Sequence, residues 1–153
     1  MYTLYWSADS GAFAVQTVLE ELGQPYRREV MSTAAGDHRT PAFLAVNPMA
    51  QIPALRLPDG TIVTESGAMV AHLCDAHPEA GLLPAPGTSG RAEAYRWLFW
   101  LATGLYESDL RYYYPDRYTA DPEKTAAMER WANRLREIIG GAPGDNVVQL
   151  KSA

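Results

Sequence analysis

The chain has 153 residues, 47% hydrophobic and 20% charged, without an apolar run long enough to cross a membrane, and this composition predicts a soluble, cytoplasmic globular protein. The net charge of -5 argues against nucleic acid or anionic lipid as a partner. The single cysteine, Cys74, excludes an internal disulfide and a Cys-x-x-Cys redox pair.

The first elements along the chain form a strand, a helix and a second strand. Tyr2–Trp6 and Tyr26–Val30 are rich in strand-forming residues. Between them Ser10 is placed to cap a helix that ends at Gly23. This helix is predicted from apolar residues at helical spacing, namely Val15, Val18, Leu19 and Leu22. A helix between two strands predicts parallel neighbours in a right-handed βαβ unit.

A hairpin and another helix follow. Ala54–Leu57 and Thr61–Val63 predict antiparallel strands joined by a turn at Asp59-Gly60. The other predicted elements are a loop at Ser32–Thr40, a helical turn at Pro41–Leu44 and a helix from Ser66 to about Ala76.

The second half predicts two long helices after a linker rich in proline and glycine. The first runs from Ser89 to about Tyr112, and the second follows Asp121 and ends at Gly140. One apolar face is expected on the first helix, from Tyr95, Leu98, Phe99, Ala102, Leu105 and Tyr106. The second is expected to carry a stripe of Met128, Trp131, Leu135 and Ile138.

Two short motifs indicate a site for a small peptide. Ile52-Pro53 precedes a strand, and a proline there suggests a tight turn with exposed backbone groups that could pair with another backbone. Glu65-Ser66 precedes a helix, whose first N–H groups attract a carboxylate, and Glu65 could meet an amino group. Together these motifs describe a pocket for a zwitterionic peptide such as glutathione.

The motifs Asn47-Pro48, Gln51-Ile52-Pro53 and Glu65-Ser66, at this spacing, resemble the glutathione-binding half of the glutathione S-transferase family. The resemblance implies an α/β thioredoxin-like N-terminal domain at residues 1–83, a linker at 84–90 and a short all-α segment at 91–140. The tail, 141–153, is expected to be loose. Typical family members continue with further helices, so the chain resembles a bacterial-type member with a shortened helical domain.

The resemblance further implies a glutathione transferase that activates the thiol of glutathione for attack on a small apolar electrophile, with no metal. Such a protein is expected to be a homodimer in the cytoplasm and to serve detoxification. Ile52 would pair its backbone with the cysteinyl unit, while Glu65 and Ser66 would hold the γ-glutamyl end. The implied substrate-binding residues are Gln51, Ile52, Pro53, Glu65, Ser66 and His38, with His38 near the glycine carboxylate and Pro53 in cis.

Ser10 is predicted to donate a hydrogen bond to the glutathione thiolate, because it lies where serine-type members place this hydroxyl. The alternative is that Ser10 only caps the helix. Tyr5 is the rival donor, although other members carry an aromatic there as strand core, and Ser7 is third. Gly11 stands where cysteine-type members carry their cysteine, which disfavours that mechanism.

Several of these assignments have simpler explanations. His38 reads more readily as a solvated loop histidine, and Glu65-Ser66 could serve only as a helix cap. A histidine that some members carry before the Ile-Pro pair is replaced by Ala50, which weakens the prediction for the glycine end. Tyr106 and the Tyr112–Tyr114 patch could line an electrophile site. A shortened helical part also leaves open a non-catalytic glutathione-binding or interaction protein.

Overall fold

The structure is a computed structural model that describes residues 1–115 and 118–140. The chain divides into two compact units, the first spanning Met1–Tyr95 and the second beginning at Arg96. The predicted loose tail at 141–153 lies outside the described residues.

A four-stranded mixed sheet forms the centre of the first unit, in the order β2-β1-β3-β4. The strands are β1 (Tyr2–Trp6), β2 (Tyr26–Val30), β3 (Ala54–Arg56) and β4 (Ile62–Val63). β1 pairs in parallel with β2, whereas β1 with β3 and β3 with β4 are antiparallel. The predicted βαβ unit and hairpin are therefore confirmed, and so is the thioredoxin-like fold.

Helices cover both faces of this sheet. α1 (Ala12–Glu21) packs against α3 (Ser66–Ala76), and α2 (Pro41–Leu44) is a single turn. Two 3₁₀ turns lie at Asp37–Arg39 and Pro78–Ala80. Because side chains alternate along a strand, β1 directs Tyr2 and Leu4 into a core that it shares with α1, β3 and α3. The fully buried large side chains are Leu4, Val15, Leu19, Leu55, Met69 and Leu73. Burying each stabilises the fold by about 1.5–3 kcal/mol.

The start of the next helix, α4 (Ser89–Phe99), is tied to this unit by Arg91. The Arg91 side chain is buried, and its guanidinium donates to Asp75 Oδ1 at 2.5 Å, to the Pro84 carbonyl at 2.6 Å and to the Tyr95 hydroxyl at 3.0 Å. A buried cation needs such partners, since leaving it unpaired costs several kcal/mol. Arg91 therefore fixes the entry of the chain into α4.

Beyond Phe99 the chain continues as a π-helical segment at Trp100–Tyr106, then α5 (Glu107–Tyr113) and, after a break, α6 (Pro122–Gly140). α5 packs against α6. The Trp131 indole N–H donates to the Ser108 hydroxyl at 3.0 Å, and this hydroxyl donates to the Gly104 carbonyl at 2.5 Å. One buried serine thus links the π segment, α5 and α6.

The predicted apolar faces of the long helices are partly wrong. Phe99, the last residue of α4, is 63% exposed, and Tyr106, the last residue of the π-helical segment, is 40% exposed. On α6, Trp131 is 56% exposed, whereas Ala132 and Leu135 are buried. The side chain of Ile138 lies outside the described part. No helix among the described residues is both long and apolar enough to cross a membrane.

Candidate functional site

Three segments that are distant in sequence meet beside Gly11. A methyl group placed on Gly11 would lie 3.1 Å from the Ser66 hydroxyl oxygen, 3.3 Å from the Ser66 Cβ and 3.5 Å from the Cδ of Pro53. The loop between β1 and α1, the turn before β3 and the first residue of α3 therefore form one junction. Ser66 and Pro53, both predicted site residues, come together there.

The N-terminus of α3 faces this junction without a capping side chain. Its N-cap residue, Glu65, makes no side-chain bond to the helix, and the first turn holds no acidic residue. The first backbone N–H groups of a helix have no partners within it, and they carry the positive end of the helix dipole. This end of α3 can therefore bind a carboxylate.

Ile52 presents its backbone beside the same junction. The Ile52-Pro53 bond is cis, as the resemblance predicted. The N–H and C=O of Ile52 have no hydrogen-bond partner among the residues that the structure describes. Ile52 is half-buried as a residue, and a bound peptide backbone could satisfy both of these groups.

Ser10 lies immediately before Gly11 and is half-buried. Its hydroxyl donates to the Ser7 carbonyl at 2.8 Å and accepts from the Ala12 N–H at 3.2 Å. The predicted N-cap role of Ser10 is wrong, because the N-cap residue of α1 is Gly11, which makes no side-chain cap bond; Ser10 instead accepts from the first helical N–H, that of Ala12. Ser7 is itself buried, so its carbonyl holds the Ser10 hydroxyl within the loop.

Tyr5 lies on the other face of the sheet from α1 and α3. Its ring meets the Phe43 ring edge-on at a centroid distance of 5.6 Å, and its hydroxyl accepts from Arg56 Nη2 at 3.0 Å. Tyr5 also lines a cavity of about 350 Å³ beside α2, but neither Ser10 nor Ser66 lines it. This placement favours Tyr5 as strand core rather than as a thiol donor.

His38 and Gln51 are two predicted site residues that no hydrogen bond between described residues connects to the junction. His38 lies in the 3₁₀ turn at Asp37–Arg39, and its buried Nδ1 has no hydrogen-bond partner within the described ranges. The Gln51 side chain is exposed, and only its carbonyl is held, by the Asn47 amide at 2.8 Å. No hydrogen bond or ion pair between described residues joins His38 or Gln51 to Gly11, Pro53 or Ser66.

Backbone strain is concentrated in the loops that frame the junction. Within the described residues, the non-glycine residues with positive φ are Asp9 at +53°, Ala50 at +54° and Glu65 at +66°. One precedes Ser10, one precedes the Ile52 turn and one precedes α3. A side chain makes this backbone conformation unfavourable by about 1–2 kcal/mol, and residues that adopt it are found most often at active sites and ligand-binding sites.

Cys74 is not a nucleophile for this site. It is buried in α3, and burial raises the pKa of its thiol, with the neighbouring Asp75 adding to the effect. The thiol therefore remains protonated and unreactive near neutral pH. In the part of the chain that the structure describes, no three His, Cys, Asp or Glu side chains lie together as a metal site would require.

Two residues of the junction were missed as site residues by sequence reasoning. Gly11 provides the space beside Ser66, and buried Asn47 holds the loop before Ile52. In the sequence, Asn47 could have been noticed as a side-chain amide between the apolar residues Val46 and Pro48. An amide that is buried in such a position must form hydrogen bonds, and it therefore organises the chain around it. Gly11 gave no signal, because the approach of α3 to this loop is a tertiary contact.

The comparisons with known proteins agree with the fold of the first unit. Residues 12–76 match the family model for the glutathione S-transferase N-terminal domain. A structure of a glutathione transferase homologue from Sulfitobacter, with bound glutathione, superposes with a TM-score of 0.80 at 28% identity, covering 91% of this chain and 68% of that one.

Curated relatives are of two kinds. The transcriptional regulator URE2 of Saccharomyces cerevisiae is 33% identical over 149 residues, which is 91% of this chain but 41% of that protein. The glutathione S-transferase GstA of Escherichia coli O157:H7 is 38% identical over 96 residues, 63% of this chain and 47% of that protein. The chain therefore spans less than half the length of both relatives.

Proposed function

Because the chain belongs to the glutathione S-transferase family through its N-terminal domain, residues 12–76, we propose that it binds glutathione at the Gly11 junction and activates its thiol. The thiol loses its proton to solvent, and the thiolate sulfur then bonds to an electron-poor carbon of a small apolar electrophile while the leaving group on that carbon departs with the electron pair. The observation that carries the proposal is the meeting of the Ser10–Gly11 loop, the Ile52-Pro53 turn and the uncapped start of α3.

The γ-glutamyl end of glutathione lies at α3. Its α-carboxylate accepts from the first N–H groups of the helix and from the Ser66 hydroxyl, while the Glu65 carboxylate meets its ammonium group. Support comes from the absence of a capping side chain at this helix end and from the strained backbone of Glu65. Such hydrogen bonds to charged groups contribute about 1.5–3 kcal/mol each.

The cysteinyl unit pairs its backbone with the N–H and C=O of Ile52, which places its sulfur near Ser10. A free thiol has a pKa of about 8.5, and each unit by which the site lowers it corresponds to about 1.4 kcal/mol. The Ser10 hydroxyl lowers it by donating to the thiolate. Rotation of the O–H bond away from the Ser7 carbonyl is sufficient, and the oxygen can still accept from Ala12.

Retention on immobilised glutathione, followed by elution with free glutathione, tests the binding step. Ser66→Ala should weaken retention, because it removes a donor beside the helix terminus. Ser89→Ala, an exposed serine at the start of α4, is the matched control and should be retained like the wild type. Failure of the wild-type protein to bind would overturn the proposed function.

A second candidate is a glutathione-binding or interaction protein without transferase activity. It is favoured by the similarity to a relative described as a transcriptional regulator. An assay with a generic apolar electrophile separates the two candidates. Turnover supports the transferase, whereas retention on glutathione without turnover supports the interaction protein. Homodimer formation and a cytoplasmic location remain predictions from the family resemblance.

A further inference from the structure

The loop that leads into the Ile52 turn is organised by one buried side chain. Asn47 is 3% exposed, and both ends of its amide are bonded within the loop. Its Nδ2 donates to the Gln51 carbonyl at 2.8 Å, and its Oδ1 accepts from the Met49 N–H at 3.1 Å. The Asn47 carbonyl also accepts from the Ala50 N–H at 3.0 Å. The loop is thus closed around this residue.

Asn47 is itself anchored to α2. Its N–H donates to the Phe43 carbonyl at 2.8 Å, and Phe43 is buried against Tyr5 of the sheet. The position of the amide is therefore set by the core of the unit, not by the exposed loop that it holds.

The bond from Asn47 to the Gln51 carbonyl also orients Ile52. The Gln51 carbonyl and the Ile52 N–H belong to one peptide unit, which is planar and trans, so the two groups point in opposite directions. Fixing the carbonyl by a buried donor therefore fixes the direction of the N–H. This N–H is the group that has no partner within the described chain.

We propose that Asn47 is a positioning residue of the glutathione site, which holds the Gln51–Ile52 peptide plane so that the Ile52 N–H meets the cysteinyl carbonyl. The inference rests on the proposed function. Asn47 does not touch the ligand, and it acts through the orientation of one peptide unit. Ala50, in the same loop, has a φ of +54°, an unfavourable backbone conformation for a residue with a side chain, and the hydrogen bonds of Asn47 hold the loop in this arrangement.

Asn47→Asp tests the inference, because it keeps the shape and the Oδ1 acceptor but replaces the donor to Gln51 with a second acceptor. Affinity for glutathione, measured by calorimetry, should fall by about 10-fold or more. The control is Val18→Ala, which truncates a half-buried side chain of α1 and lowers stability without touching the loop; its affinity should match the wild type.

Equal affinity of Asn47→Asp and wild type would overturn the inference and leave the proposed function standing. No binding by the wild type would overturn the proposed function and the inference with it. If Asn47→Asp does not fold, nuclear magnetic resonance of the wild-type protein decides. On addition of glutathione the Ile52 N–H signal should shift strongly while the Asn47 side-chain amide stays bonded to Gln51; rupture of that bond would contradict the inference.

Discussion

The Ser10 hydroxyl makes two local bonds, and their strengths decide how it can act on a thiol. Its hydrogen bond to the Ser7 carbonyl joins neutral groups and contributes about 1 kcal/mol net. A hydrogen bond to a thiolate is charge-assisted and roughly twice as strong. Under the proposed function a bound thiolate would therefore compete with the Ser7 carbonyl for this proton, and the bond that Ser10 accepts from Ala12 would be kept.

Ser10→Ala should raise the pKa of bound glutathione by about one or two units and lower turnover roughly in proportion, with little change in affinity. It should also cost about 1 kcal/mol of stability through the lost bond to Ala12. Thr17→Ala, which removes an exposed hydroxyl from the same helix, is the control. If Tyr5→Phe abolishes turnover and Ser10→Ala leaves it intact, the assignment to Ser10 is wrong.

Because of Cys74, the free energy of unfolding should depend on pH in the alkaline range. Burial raises the pKa of its thiol in the folded protein above the value of about 8.5 in the unfolded chain. Above that pH the unfolded chain releases the proton while the folded protein keeps it, so the free energy of unfolding falls as pH rises through the folded pKa.

Urea unfolding between about pH 7 and 9.5 measures this decline, and in Cys74→Ala it should be shallower. Tyr2, whose pKa is also raised by burial, contributes in both proteins only above its ordinary value of about 10. An equal decline in wild type and Cys74→Ala would show that another group is responsible.

At the scale of elements, the site depends on how closely the β1–α1 loop approaches α3. Gly11 has φ -59° and ψ -6°, a conformation that any residue adopts, so it is needed for space and not for backbone freedom. Gly11→Ala would press a methyl group against Ser66. Such overpacking should lower stability by about 1 kcal/mol and weaken glutathione binding.

A double-mutant cycle with Ser66→Gly tests this contact, because the second substitution removes both Ser66 atoms nearest the added methyl group. Gly11→Ala should cost much less stability in the Ser66→Gly protein than in the wild type. Additive effects of the two substitutions would contradict the proposed packing of the loop on α3.

Local patterns predicted the elements of the first unit well. The bounds of β1 and β2 were predicted correctly from the composition of the strands and from the turn residues around them. Those of α3 were predicted correctly from the helix N-terminus at Ser66. Residues that act through tertiary contacts were not predictable in this way. Gly11 opposite Ser66 and Asn47 beneath Gln51 depend on where separate segments meet, and the π turns at Trp100–Tyr106 depart from the periodicity on which the apolar faces were predicted.

At the scale of the molecule, an ion pair between buried Arg91 and Asp75 ties the start of α4 to α3 within the first unit. Asp75 is 43% exposed while the Arg91 side chain is 6% exposed, so water can solvate the acid but not the base. Three acceptors from α3, the Pro84 segment and α4 surround the guanidinium. A lysine has no planar fork with which to meet all three.

Arg91→Ala should therefore lower the free energy of unfolding by about 3 kcal/mol, measured by urea denaturation. The control is Arg27→Ala, since Arg27 is 65% exposed and its pair with Glu29 should contribute less than about 1 kcal/mol. Equal losses in the two variants would show that Arg91 is not the anchor of α4.

The activation of glutathione is tested most directly by the ultraviolet difference spectrum of the bound thiol, titrated from about pH 5 to 9, because thiolate absorbs where thiol does not. A bound thiol that titrates one or two units below about 8.5 is the predicted result. Bound glutathione with an unshifted thiol would contradict activation at Ser10 and favour the interaction protein. Absence of binding would contradict the glutathione site altogether.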